Sequence, residues 1–171
     1  MNYNQTIQGK VVFDPEILTH KHNLQSEWKK NVIVIVNEPD FCNYFGWFIK
    51  KRYNLKIVEP LRGVHLTIVN DRLSDGVCAS ELKYNRSKQL FNNKTIDIQY
   101  NTDVRTDGKY WWFKAKSNEA ILIRQHIGLN PISYFDFHIT VGRVEGREFE
   151  KEHGRYIHNL IKKSREYGIN S

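Results

Sequence analysis

The sequence predicts an α+β fold in a single domain spanning residues 1–171. Three observations carry that expectation. The β-branched run NVIVIV at 31–36 has the composition of a buried strand. Segments 64–69 and 95–100 alternate with the period of two that half-buried strands require. Between such segments lie stretches with apolar residues at helical spacing, so strands are joined both by hairpins and by helices. A doubly wound parallel sheet does not use that mixture.

Taken in order, residues 1–30 are irregular, with Asp14-Pro15-Glu16 shaped as a helix start. Pro39-Asp40 ends the first strand. Residues 40–53 place Phe41, Phe45, Phe48 and Ile49 along one face of an amphipathic helix. Pro60 and Gly63 break the chain before VHLTIV at 64–69, and a helix is expected over 75–91. TIDIQY at 95–100 and KYWWFKAK at 109–116 form a hairpin whose loop carries the turn signal Asp107-Gly108. Ser117-Asn118-Glu119 opens a helix to about Ile127, closed by Gly128. Residues 132–144 read as a long strand, and 146–167 as a charged helix with Phe149, Tyr156, Leu160 and Ile161 available for packing. The expected order is β-α-β-α-β-β-α-β-α.

Composition narrows the function classes. Hydrophobic residues make up 40% and charged residues 26%, a globular balance without low-complexity tracts or repeats. The longest apolar run is too short to span a bilayer, and MNYNQTIQGK lacks the order of a secretory signal, so a cytoplasmic protein without membrane contact is expected. Cys42 and Cys78 are expected to be ordinary reduced thiols. The formal charge of +7 and an aromatic content of 13% suit a surface that holds phosphate and stacks bases, although a merely soluble basic surface has the same charge.

The chemistry rests on a repeated tetrapeptide. His65-Leu66-Thr67-Ile68 and His138-Ile139-Thr140-Val141 share the order His, aliphatic, Thr, aliphatic, each inside a segment that reads as a strand. On a strand, His and Thr then share one face and the aliphatics pack behind. A single copy is better explained by a half-buried strand histidine; two copies ask for a joint explanation. Imidazole titrates near neutral pH, so one histidine can accept the proton of an attacking hydroxyl while the other protonates the leaving oxygen. The threonine hydroxyls can donate to non-bridging phosphate oxygens. Neither metal nor cofactor is expected, because the pair is far apart in the chain and lacks interleaved acidic ligands. Which histidine is acid and which is base stays open. His20, His22, His126, His153 and His158 fit no such geometry.

Paired HxTx strands, the second continuing as Gly142-Arg143, resemble the two-histidine (2H) phosphoesterase superfamily. That group includes 2′,3′-cyclic phosphodiesterases like RNA ligase T, viral 2′,5′-oligoadenylate phosphodiesterases and phage anti-CBASS cyclic-oligonucleotide nucleases. The resemblance runs from about residue 31 to 144 and is sharp only at the two tetrapeptides and Arg143. It implies a bilobal LigT-like fold, two antiparallel sheets flanking a central groove with helices outside and one motif from each lobe. It implies catalytic roles for His65, Thr67, His138 and Thr140, and substrate binding by Arg143. Length, motif spacing and a following C-terminal helix favour the anti-CBASS group, and thus a small cyclic nucleotide cleaved at 3′–5′ linkages by the neighbouring 2′-hydroxyl. Within the same chemistry, 2′,5′-oligoadenylate and RNA 2′,3′-cyclic ends are alternatives; outside it, a non-catalytic nucleotide- or RNA-binding protein. No protein partner is implied, and a homo-oligomer is compatible.

Further binding candidates come from aromatic and charged residues. Of Trp111 and Trp112 only one can face the groove, because strand neighbours point to opposite sides. Lys114 shares the face of Trp112. Tyr44 and Trp47 are candidates for exposed positions on the first helix, and the resemblance adds Glu166 and Tyr167 in the C-terminal segment.

Overall fold

The computed structural model describes residues 3–15, 30–38, 40–60, 62–70, 81–133 and 136–144. The expected C-terminal helix, with Glu166 and Tyr167, lies outside the described residues, as do Cys78 and the first part of the 75–91 helix. Eight strands and three helices are described, an α+β architecture. In chain order they are β1 (Gln5–Phe13), β2 (Asn31–Val36), α1 (Phe41–Tyr53), β3 (Ile57–Val58), β4 (His65–Asn70), α2 (Glu81–Phe91), β5 (Thr95–Tyr100), β6 (Arg105–Thr106), β7 (Tyr110–Lys116), α3 (Asn118–Ile127) and β8 (His138–Val144).

Local chemistry explains the punctuation. Ser117 caps α3, its Oγ accepting from the Ala120 N–H at 3.3 Å, and Gly128 ends it at φ 89°. In the β6–β7 turn the Asp107 carboxylate accepts from the Lys109 and Tyr110 N–H groups at 2.9 and 2.7 Å, beside Gly108 at φ 99°. Two expectations are corrected. Residues within 1–30 are not all irregular: β1 runs from Gln5 to Phe13, and Asp14 follows it at φ 51° with its N–H on the Asn31 carbonyl. The last strand begins at His138 rather than at 132.

All eight strands belong to one antiparallel sheet in the order β3-β8-β4-β2-β1-β5-β7-β6, and β7 also pairs with β8. That additional pairing runs from Tyr110↔Arg143 to Lys114↔His138 and closes six strands into a ring. β3 continues the line of β4 along β8, and β6 the line of β5 along β7. Two separate sheets flanking a groove are therefore not what is seen. The two motif strands are hydrogen-bonded neighbours, His65 opposite Thr140 and Leu66 opposite Ile139. Closure leaves no free edge among the six strands, which removes a site of unwanted strand addition.

The helices cover one face of the ring. Phe113 of β7 meets Phe41 and Phe45 of α1, with centroids 6.1 and 4.4 Å apart, and Trp111 meets Tyr53 at 5.2 Å. On the other half, Phe13 packs on Tyr84 of α2 at 5.3 Å, and the buried Arg124 of α3 donates to the Ile68 carbonyl at 2.6 Å. Val11, Val34, Leu66, Ile68 and Ile139 are buried on this face, each contributing about 1.5–3 kcal/mol by leaving water. Gly9 fits here because β1 passes close over β2: a Cβ would stand 2.6 Å from Val34 Cγ1 and 2.8 Å from the Ile35 carbonyl oxygen. The opposite, inner face carries the His and Thr side chains of both repeated tetrapeptides beside Ile33, Ile35 and Trp112.

Candidate functional site

The inner face can be read rung by rung from the register, since cross-strand partners share a face. Arg105, Trp112, Thr140, His65, Ile35 and Lys10 are successive partners across β6, β7, β8, β4, β2 and β1. The adjoining rung pairs Lys114 with His138, and one further step of the β4–β8 register sets Thr67 level with His138. His65 and His138 are thus diagonal neighbours on one face, a relation that puts residues roughly 7–8 Å apart with their Cβ atoms somewhat closer, and Thr67 and Thr140 complete the square.

A bulge decides what joins them. Between Trp111 and Trp112 the β7–β8 register shifts, so that Val141 is the extra residue on β8. Strict alternation would put Gly142 on the face of Thr140. The bulge instead pairs Gly142 with Trp111 and Arg143 with Tyr110, returning Arg143 to the inner face. Gly142 has no room for a side chain, as a Cβ would run into the Ile57 side chain. The Arg143 Nε is buried and has no partner among the described residues.

Both imidazoles are held the same way. His65 Nδ1 lies 2.7 Å from the Gly63 carbonyl oxygen, and His138 Nδ1 lies 3.0 Å from the Asp136 carbonyl oxygen, each two residues upstream. A carbonyl only accepts, so Nδ1 carries the hydrogen and Nε2 of the neutral ring keeps its lone pair for chemistry. Gly63 reaches this position at φ 71°, a left-handed conformation that glycine adopts freely, with its N–H on the Pro60 carbonyl at 2.9 Å.

The environments differ. Burial pushes His65 down from its ordinary 6.5 to about 4; the Gly63 hydrogen bond opposes this, while the charges of Arg62 and His138 add to it. His65 is therefore neutral at physiological pH. His138 is partly open to water, and the Trp112 ring lies 6.0 Å from it. Asp136 is held below the usual carboxylate range, first by the hydrogen bond and charge of Lys114 at 2.8 Å, and further by Arg105 and His138.

The structure brings His65, Thr67, His138, Thr140, Trp112, Lys114 and Arg143 to one face. It does not bring Trp111 or Tyr44 there. Trp111 is fully buried on the helix-covered face, because its β7 neighbour Trp112 takes the inner one. Tyr44 is 62% exposed on α1 and stacks edge-on against Phe45, outside the ring. Arg105, Lys10 and Asp136 were not singled out from sequence, and Gly63 was read there only as a break before the strand. Gly63 and Asp136 were findable as residues two before each histidine; Arg105 and Lys10 enter only through non-local register. Among the described residues, no group of three or more His, Cys, Asp or Glu side chains is arranged to hold a metal ion, and no helix is long and apolar enough to cross a membrane. In comparisons with known proteins, no family model, no curated protein and no solved structure matches the chain.

Proposed function

We propose that the protein is a metal-independent phosphodiesterase of the two-histidine type, with a LigT-like fold, acting on small nucleotides that carry a hydroxyl beside the scissile phosphate. The observation that supports this best is the matched pair: two histidines diagonal on one face, both with Nδ1 bound to a main-chain carbonyl and Nε2 left for proton transfer. His65, neutral at physiological pH, is the base that takes the proton of the 2′-hydroxyl. His138 protonates the leaving 5′-oxygen, and a 2′,3′-cyclic phosphate forms. Thr67 and Thr140 donate to the non-bridging oxygens as negative charge builds there, and Arg143 with Arg105 supplies positive potential on the same face. Trp112, beside His138, offers a flat surface to a base.

Within this reading the preferred substrates are cyclic di- or trinucleotide signals, the anti-CBASS setting in a host cytoplasm. Chromatography of the protein incubated with cyclic dinucleotides, 2′,5′-oligoadenylate and 2′,3′-cyclic nucleotides tests the assignment. Turnover of at least one class is expected, unaffected by EDTA and lowered roughly 10²–10⁴-fold in His65→Ala and in His138→Ala. Recovery of every nucleotide unaltered, or loss of turnover in EDTA, overturns it.

A further inference from the structure

A second cleft opens beside the site, between α1 and the segment running from the end of β2 through β3 to the start of β4. Its volume is about 620 Å³, within the range of small-molecule sites. Its lining includes Gly63, whose carbonyl holds His65, and Ile35, the cross-strand partner of His65. Trp47, 59% exposed on α1, lines it as well. Gly46 also lines the cleft, and a Cβ there would stand in van der Waals contact with Ile57, 3.5 Å from its Cγ1.

Charge separates the two regions. Lys10, Arg105, Lys114 and Arg143 lie on the inner-face rungs, with Asp136 against Lys114. The cleft instead balances Lys50 and Lys56 with Glu38 and Glu59. A phosphate is favoured on the rungs, whereas the cleft suits a neutral, flat ligand with hydrogen-bonding edges. Such a ligand stacks on the indole and meets donors and acceptors at the rim.

We infer that this cleft is a nucleoside subsite, taking the nucleoside on one side of the bound phosphodiester with its base on Trp47, so that ligands with two nucleosides are preferred over single nucleotides. The inference rests on the phosphodiesterase reading for the position of the phosphate. Calorimetric titration of His138→Ala, in which turnover is slowed, tests it with the dinucleoside monophosphate ApA and with 2′,3′-cyclic AMP. Adding Trp47→Ala is expected to weaken ApA on the order of tenfold more than 2′,3′-cyclic AMP, and Gly46→Leu, which fills the cleft, to do the same. Equal weakening of both ligands, no weakening, or no binding of ApA overturns the subsite. Wild-type turnover without this Trp47 dependence sinks the subsite alone. The Trp47 dependence without any turnover sinks the enzymatic reading and leaves the subsite standing.

Discussion

The depressed basicity of His65 makes a prediction about stability that needs no substrate. In the unfolded chain the imidazole titrates near 6.5; in the folded protein it does so at about 4. Between these values the unfolded state binds more protons, so the protein loses stability as pH falls through that window. The gap corresponds to about 3 kcal/mol in full, of which about 2 kcal/mol is expressed between pH 7 and pH 5. Replacing His65 by Gln keeps a polar side chain and removes the titration. Urea unfolding at pH 7, 6 and 5 reads the effect as a difference between wild type and His65→Gln, in which the other titrating groups cancel. The wild type is expected to lose about 2 kcal/mol more than the variant over that interval. In a nitrogen-detected NMR titration, the His65 ring is expected to stay in its Nδ1–H form down to about pH 5. Parallel pH dependences, or a His65 ring that protonates above pH 6, refute the reasoning and with it the assignment of His65 as the base.

Other expectations follow from the same geometry. Thr67→Val and Thr140→Val keep shape and lose a donor, so each should lower kcat by about 10²-fold with little change in the melting temperature; steady-state kinetics beside calorimetry checks both. Gly9→Val forces side-chain atoms into Val34 and the Ile35 carbonyl oxygen, and urea unfolding should show about 1–3 kcal/mol of destabilisation. Arg124→Met leaves the Ile68 and Asn130 carbonyl oxygens without the donors they now have at 2.6 Å, and should cost about 2–4 kcal/mol by the same assay.

Much of the fold was legible because period and punctuation agree. NVIVIV, the Ser117 and Gly128 caps and the Asp107-Gly108 turn each signal locally what the chain does there. β1 has no clear strand signature in the sequence, although its buried positions, Ile7, Gly9, Val11 and Phe13, keep a period of two. A glycine in that row, demanded by the neighbouring strand rather than by local preference, hid the pattern. β3 and β6 have two residues each and no period to detect. In the site, the shared face of His and Thr within each motif followed from alternation. That the two motif strands are adjacent, that Trp112 and not Trp111 faces the histidines, and that Arg143 joins them all depend on non-local pairing and on a single bulge at Val141. Hydrophobic pattern carries no record of either.

The anchoring of both rings by main-chain oxygens has a consequence for how this scaffold tolerates change. In many sites an imidazole is steered by a neighbouring carboxylate, so that one mutation there misdirects the catalyst. Here the steering groups are part of the chain itself. Walls, cleft and rim can be rewritten for a different nucleotide while the two rings keep their aim, provided position 63 still admits a left-handed backbone.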